Sequence, residues 1–183
     1  MMTKARLAVR QTLARLNPGD QVVVAVSGGA DSLLLAYCLN LESSDLALKI
    51  HAVVIDHQLQ EGSADNASNA KRKLKELGID SVEIIPVVVV KHDGMEADAR
   101  RARYTALNEH AKNIGASAIF LGHNQDDLAE SVLLGLTQGA GTKSLAGMAL
   151  QDGMYIRPFL TLSRAEVLAA CKEVPIDYWN DPH

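Results

Sequence analysis

Aromatic residues are scarce in this sequence: Phe, Trp and Tyr make up 4% of its 183 residues, although 48% are hydrophobic. A core of that size with few rings must be packed from Val, Ile, Leu and Ala, the mixture found where a sheet is covered by helices on both faces. Cysteine is nearly absent. Cys38 and Cys171 are too few for a disulfide framework and too far apart for a Cys-x-x-Cys redox or metal motif. Both fall in apolar helical patterns and read as small core residues. No apolar run is long: the valines come in short clusters, far short of a membrane span. The N-terminal MMTKARLAVRQTLARL has no continuous apolar stretch of the signal-peptide kind. A soluble, cytoplasmic protein is expected. Positive charge is not in excess either. With 18 Lys and Arg against 22 Asp and Glu the formal charge is −4, which gives no global footprint for nucleic acid. A polyanionic partner would need a local basic patch. Two familiar nucleotide loops are missing, since no Gly-Lys-Ser/Thr stands at Walker A spacing and no Gly-x-Gly-x-x-Gly occurs.

What is present is an alternation of strand and helix signals without internal repeats, in a chain long enough for one domain. Helical periodicity runs from about Thr3 to Leu16 and is broken by Asn17-Pro18-Gly19-Asp20. Gln21 to Val26 reads as a strand buried on both faces, and a helix follows from about Asp31 to Leu41. Leu48 to Ile55 is a second strand, ending at Asp56-His57. A polar helix from about Ser63 to Leu77 stops at Gly78. Val82 to Val90 is a third strand, and Pro86 within it predicts a sheet edge or a bulge. A long helix from about Glu96 to Ile114 stops at Gly115, Ala118 to Leu121 is a short fourth strand, and a helix begins near Asp126 or Asp127. Beyond a Gly-dotted stretch come Tyr155 to Pro158 and a short helix from Ser163 to Cys171. This order predicts an α/β fold: a doubly wound, mostly parallel, five-stranded sheet with helices on both faces.

In such sheets ligands bind at the carboxyl ends of the strands. The polar oddities of the sequence gather there: Ser27 to Ser32 after the first strand, Asp56 and His57 after the second, and His123 to Asp127 after the fourth. Ser27-Gly28-Gly29-Ala30-Asp31-Ser32 joins a buried strand to a helix. Its glycines permit close backbone approach and leave N–H groups free for an anion, and the helix N-terminus adds partial positive charge. Ser27 and Ser32 can donate hydroxyl hydrogen bonds to phosphate oxygens. Asp31 would repel phosphate unless a divalent cation bridges the two. The plainer alternative is a glycine turn with Ser27 or Asp31 capping the helix.

Asp126 or Asp127 shares a helix face with Glu130, an arrangement suited to Mg²⁺ beside a triphosphate and equally to a favourable acidic first turn. Arg100 and Arg103 are adjacent on one helix face, either as a solvated surface or as a clamp on phosphate or RNA backbone. His57 and His123 could contact a nucleotide or be buried and satisfied. Lys143, in the Gly-rich stretch, is a further candidate for phosphate or tRNA.

Ser-Gly-Gly-Ala-Asp-Ser after a valine-rich strand resembles the SGGxDS signature of the N-type ATP pyrophosphatases, the PP-loop superfamily, which cleave ATP between the α- and β-phosphates. Further segments are similar to the catalytic domain of tRNA(Ile)-lysidine synthetases. They are VVIDHQLQEGSADNASNAKRKLKELGI, the stretch from Glu96 to Tyr104, LGHNQDDLAESVLLGLTQGAGTKSLAGM, YIRPFLTLSRAEV and Trp179-Asn180-Asp181-Pro182, collinear from about Val22 to Pro182. The resemblance implies an adenine nucleotide alpha hydrolase-like, Rossmann-like fold. It implies ATP and Mg²⁺ as cofactors, a CAU-anticodon isoleucine tRNA and free L-lysine as partners, no membrane, and it admits a homodimer. It implies that the C2 oxygen of the first-anticodon-position cytidine attacks the α-phosphate, after which the lysine amine displaces AMP and converts codon specificity to AUA. Carried onto this sequence, the catalytic residues are Asp31, Asp127, Glu130 and Arg103, with Asp31 or Glu130 as the base. The nucleotide is held by Ser27, Gly28, Gly29, Ala30, Asp31, Ser32, Asp56, His57, Arg100, Gly122 and His123, and the metal by Asp31, Asp126 and Asp127.

Two other functions fit the loop. One is another PP-loop enzyme, a tRNA thiolase or a GMP or NAD synthetase; thiolases of this group resemble one another in using paired cysteines, which Cys38 and Cys171 do not offer. The other is a non-catalytic adenine-nucleotide-binding module, which would not need the Arg100/Arg103 and Asp126/Asp127/Glu130 clusters. The sequence departs from the family pattern at Leu128, Ser131 and Gln58, where Gln, Thr and Gly are usual. It stops at His183, where relatives continue into a tRNA-binding region. Residues 1–183 are therefore expected to be the catalytic domain, binding ATP but tRNA only weakly.

Overall fold

Gln21–Val26 (β1) carries apolar side chains at every position but the first, and it lies at the centre of a sheet where both faces are covered. The computed structural model describes residues 1–56, 58, 62–89, 94–137 and 148–174. His57, Lys143 and the segment Trp179–Pro182 lie outside the described residues. The remaining strands are Lys49–Asp56 (β2), Val82–Pro86 (β3), Ala118–Phe120 (β4), Gln151–Asp152 (β5) and Tyr155–Ile156 (β6). Their order is β3-β2-β1-β4-β6-β5, parallel except for the β5–β6 pair. The expected five strands are present, and β5 makes a sixth. At two residues it is too short to show any periodicity in the sequence.

Six described helices cover this sheet: Met2–Leu13 (α1), Ala30–Glu42 (α2), Ser63–Glu76 (α3), Met95–Ile114 (α4), Gln125–Thr137 (α5) and Arg164–Cys171 (α6). The chain steps from β1 to β2 to β3 in one direction and then returns past β1 to β4. Right-handed crossovers in opposite directions put their helices on opposite faces. Accordingly α2 and α3 join α1 and α6 in one core cluster, with Val22, Val24, Val26 and Phe120. The other face packs Val23, Val53 and Ile119 against Leu107 and Ala111 of α4. The direction changes between β1 and β4, and a crevice opens there at the carboxyl ends of the strands.

β3 is the edge strand that Pro86 predicted, and it ends at that proline, short of the expected Val90. Val87 N–H still reaches the Asp56 carbonyl (2.9 Å). α6 opens with a capping box in which the Ser163 hydroxyl accepts the Glu166 N–H and Glu166 accepts the Ser163 N–H. α1 is tied to α2 by Arg6 and Arg10, whose Nε atoms lie 2.5 and 2.6 Å from the buried Glu42 carboxylate. No helix of the described residues is long and apolar enough to cross a membrane.

Candidate active site

A cleft of about 330 Å³ opens at the switch point between β1 and β4. Eight of the expected residues line it: Ser27, Gly29, Asp31, Ser32, Arg103, Gly122, His123 and Asp127. Ala25, Val26, Ile55 and Leu121 give it an apolar floor. Sequence positions as far apart as Ser27 and Asp127 therefore meet because β1 and β4 are neighbours.

The loop after β1 is held by its own serines. Ser32 Oγ accepts the Ser27 N–H (3.1 Å), donates to the Gly29 carbonyl (3.0 Å) and lies 3.2 Å from Ser27 Oγ. Gly28 sits at φ +88°, a left-handed conformation strained for any L side chain. Gly29 is the N-cap of α2, and no side chain caps this helix end, so neither Ser27 nor Asp31 is the cap. Uncapped N–H groups with the helix dipole behind them suit an anion. Across the cleft Gly122 passes against this first turn. A Cβ on it would stand 3.1 Å from the Asp31 carbonyl carbon and the Ser32 nitrogen, both backbone atoms that cannot turn aside.

Asn124, 1% exposed, joins the two sides and was not picked out as a site residue from the sequence. Its Oδ1 accepts the N–H groups of Asp126 (2.8 Å) and Asp127 (3.1 Å), while its own N–H donates to Asp127 Oδ2 (2.8 Å). This is a reciprocal box at the start of α5. The signal was available, because an Asn three residues before an acidic residue at a helix start is an N-cap pattern. Its Nδ2 donates to Asp31 Oδ2 (3.2 Å). Asp31 Oδ1 is buried without a partner. Burial first, then the Asp127 charge, pushes the Asp31 carboxyl up to about 6; the Arg164 charge and the Asn124 hydrogen bond oppose the rise.

The other expected residues fall elsewhere. Asp126 is exposed, and its Oδ2 accepts the Arg164 N–H (2.7 Å) at the first turn of α6. Glu130 is exposed on α5 and does not line the cleft. Asp56 is buried, with Oδ1 accepting the Gln58 N–H (3.0 Å). Arg100 is exposed, its guanidinium 5.1 Å from the Tyr104 ring centroid. Ala30 opens α2 outside the cleft lining. Among the described residues no group of three or more His, Cys, Asp or Glu could hold a metal ion. A hard cation fits here only with Asp31 and Asp127 as protein ligands, completed by phosphate oxygens and water, and the unpartnered Asp31 Oδ1 is the group that would welcome it.

His123 is kept neutral. Burial first, then the charges of Arg103, Arg157 and Arg100, push its pKa down to about 3. Cys38 and Cys171 are both free and buried, and burial pushes each thiol up to about 12, which suits packing and not nucleophilic chemistry.

A family model described as the PP-loop domain matches residues 1–183. A tRNA(Ile)-lysidine synthase from Thermobifida fusca is 46% identical over 178 residues, covering 97% of this chain and 55% of that protein. Those from Streptomyces coelicolor and Rhodococcus opacus are 47% and 43% identical, covering 88% and 98% of this chain and 47% and 53% of theirs. The chain thus spans about half the length of the curated relatives it matches. A solved U34-tRNA thiolase from Methanococcus maripaludis, with its 4Fe-4S cluster, superposes with a TM-score of 0.82 over 99% of this chain and 66% of its own. At 24% identity that likeness shows the fold alone.

Proposed function

The chain belongs to the PP-loop domain family, and from that premise we propose that it is the catalytic domain of a cytoplasmic tRNA(Ile)-lysidine synthetase. It would bind ATP in the β1/β4 cleft and transfer AMP to the C2 oxygen of the first-anticodon-position cytidine of a CAU-anticodon isoleucine tRNA. Free lysine would then displace the AMP. The observation that carries this reading is the meeting, in one cleft, of the Ser27–Ser32 loop with Asp31, Asp127 and Arg103. The curated relatives named tRNA(Ile)-lysidine synthase support the choice of acceptor.

In the first step the cytidine oxygen forms a bond to the α-phosphorus, and the bond to the bridging oxygen breaks, releasing pyrophosphate. The N–H groups at the start of α2 and the Ser27 hydroxyl would meet the phosphates, where negative charge builds, while Ser32 holds the loop in shape. Arg103, across the cleft, adds a positive charge to the same space. Magnesium held by Asp31 and Asp127 would neutralise part of the charge on the departing pyrophosphate. In the second step the lysine ammonium must lose a proton before its nitrogen attacks C2 and the C2–oxygen bond to AMP breaks. Of the two candidate acceptors, Asp31 lines the cleft, whereas Glu130 is exposed outside it. Asp31 is therefore the better base.

The thiolase alternative is disfavoured by the thiols themselves. Cys171 packs behind α2 with Sγ 3.7 Å from the Ala30 carbonyl oxygen, and neither cysteine lines the cleft. The test is incubation of the protein with α-labelled ATP, lysine and the cognate tRNA. AMP should form only when both tRNA and lysine are present, and its absence at a tRNA concentration high enough to saturate the protein despite weak binding would rule the synthetase out. Gly122→Ala, which crowds the loop backbone, should lower ATP affinity by about 10-fold or more, corresponding to ~1.4 kcal/mol.

A further inference from the structure

The crossover that follows β3 leaves one face of that strand uncovered by α4. β3 is the outermost strand, and the chain must pass back over β2 and β1 to reach β4. α4 makes that passage, so its Leu107 and Ala111 pack on Val23, Val53 and Ile119 of the inner strands. A groove of about 680 Å³ remains between α4 and β3, larger than the cleft and at the sheet edge, away from the switch point. Glu83, Ile85 and Val87, alternate residues that point to one face, form one wall; Ala102, Ala106 and Glu109 of α4 form the other. Val88, at the end of the groove, is 79% exposed.

The same strand has an open edge. On the side of β2, the Ser81 carbonyl accepts the Ala52 N–H (2.9 Å) and the Val87 N–H donates to the Asp56 carbonyl (2.9 Å). Backbone groups alternate in direction along a strand, so Ser81, Glu83, Ile85 and Val87 turn theirs to β2, while Val82 and Ile84 turn theirs outward. Among the described residues no strand pairs with that outer side. Pro86 belongs to the outward set, so its ring withholds one donor and leaves its carbonyl available. The groove beside this edge is acidic. The Arg101 guanidinium is held by the buried Asp98 (3.2 Å). Glu83 has a side chain 60% exposed, 3.5 Å from His110 Nδ1, and Glu109 is exposed with no ion pair among the described residues. Three carboxylates thus line the groove against one guanidinium and one imidazole. Such a surface repels a polyanion and attracts a cationic segment.

We propose that the outer edge of β3 and the groove beside it form a docking site for an extended segment of a partner protein in which apolar and basic residues alternate. The segment adds to β3 as a further strand, its backbone meeting the N–H and C=O groups of Val82 and Ile84. Side chains on one face of an added strand recur at every second residue. Those on the α4 side rest on Ile85, Val87, Ala102 and Ala106, and the lysine or arginine heads reach Glu83 and Glu109 at the rim. This site does not depend on the reading of the cleft as an ATP site.

The test uses ¹⁵N-labelled wild-type protein and a peptide of about eight residues in which valine and lysine alternate. On titration the Val82 and Ile84 N–H signals should shift and exchange with solvent about 10-fold more slowly. A peptide with glutamate in place of lysine, and a short single-stranded RNA, should leave both signals still. Glu83→Gln combined with Glu109→Gln, at two exposed positions, should weaken the lysine peptide by about 5-fold with the thermal midpoint unchanged. Signals that stay still at the highest soluble concentration of the lysine peptide overturn the proposal. Equal affinity for the lysine and glutamate peptides, a response to the RNA, or equal affinity in the wild type and the double variant also overturns it. A shift of Val82 and Ile84 on raising the protein concentration alone does the same, because it gives the edge to a second copy of the chain. No nucleotide enters the titration, so its outcome and that of the AMP assay are read independently.

Discussion

Asp31 has opposite effects on stability and on chemistry. Its carboxyl titrates near 6 in the folded chain against an ordinary 3.8, so folding favours the protonated form. The group is harmless below about pH 4, and its ionisation destabilises the fold increasingly as pH rises through 6. Asp31→Asn, which can still accept from Asn124, should therefore be more stable than the wild type by about 1–2 kcal/mol at pH 7.5, a figure reduced from the full linkage value because the cleft is open to solvent. Urea melts at pH 4.5 and 7.5 should show the two proteins converging at the lower pH, while the variant forms no AMP. His123 makes the reverse case. With its pKa near 3, below the ordinary 6.5, it favours the fold at neutral pH, and that contribution is lost as pH falls from about 6.5 toward 3. Its ring resonances should not titrate between pH 5 and 8 in an NMR series; a midpoint near 6.5 would contradict the burial described here.

The start of α5 shows how one cap serves both a helix and a site. Asn124→Ala removes the acceptor of two N–H groups and the donor to Asp31 together. It should cost about 1–2 kcal/mol in chemical denaturation and weaken ATP binding as Asp31 loses its orientation. This element also marks what could be read from the sequence. The Ser27–Ser32 loop was legible because its glycines, its strand and its helix are contiguous, and every strand except β5 carried a periodicity or an apolar run. Asp126 and Asp127 could not be told apart by spacing. Their roles separate only because α6 docks its first turn on Asp126 and leaves Asp127 in the cleft. Glu130 looked equivalent on helical spacing, but the exposed face of α5 carries it away from the cleft. Arg157 lies in a segment that resembles the family, yet its place beside β4 could not be read, since it depends on β6 pairing with β4, a contact between distant parts of the chain.

At the scale of the whole molecule, polar ties join α1 both to its neighbour α2 and to α6 and its C-terminal end, far along the sequence. Arg6 and Arg10 meet on Glu42, Lys4 meets Glu166, and the N-terminal ammonium meets Glu173. The Lys4–Glu166 and N-terminal–Glu173 pairs are open to solvent and as ion pairs contribute little, whereas Glu42 is buried. Glu42→Ala should cost about 2 kcal/mol by thermal or urea unfolding, while the Lys4 contact can be removed with a change of less than about 0.5 kcal/mol. The net charge of −4 sets the outlook for the polyanion. These 183 residues should bind tRNA weakly, and tight binding that collapses with salt would contradict this. The strand order has one more consequence, in the time domain. A chain emerging from the ribosome through α4 can already align β1, β2 and β3, yet the far side of β1 stays bare until Ala118–Phe120 arrives to pair with Val22–Val24. The wall holding His123 waits longer still, for Tyr155–Ile156. The cleft is thus completed only once β4 and β6 have paired, and until β4 arrives an open valine edge is the stretch most exposed to misassembly and to chaperones.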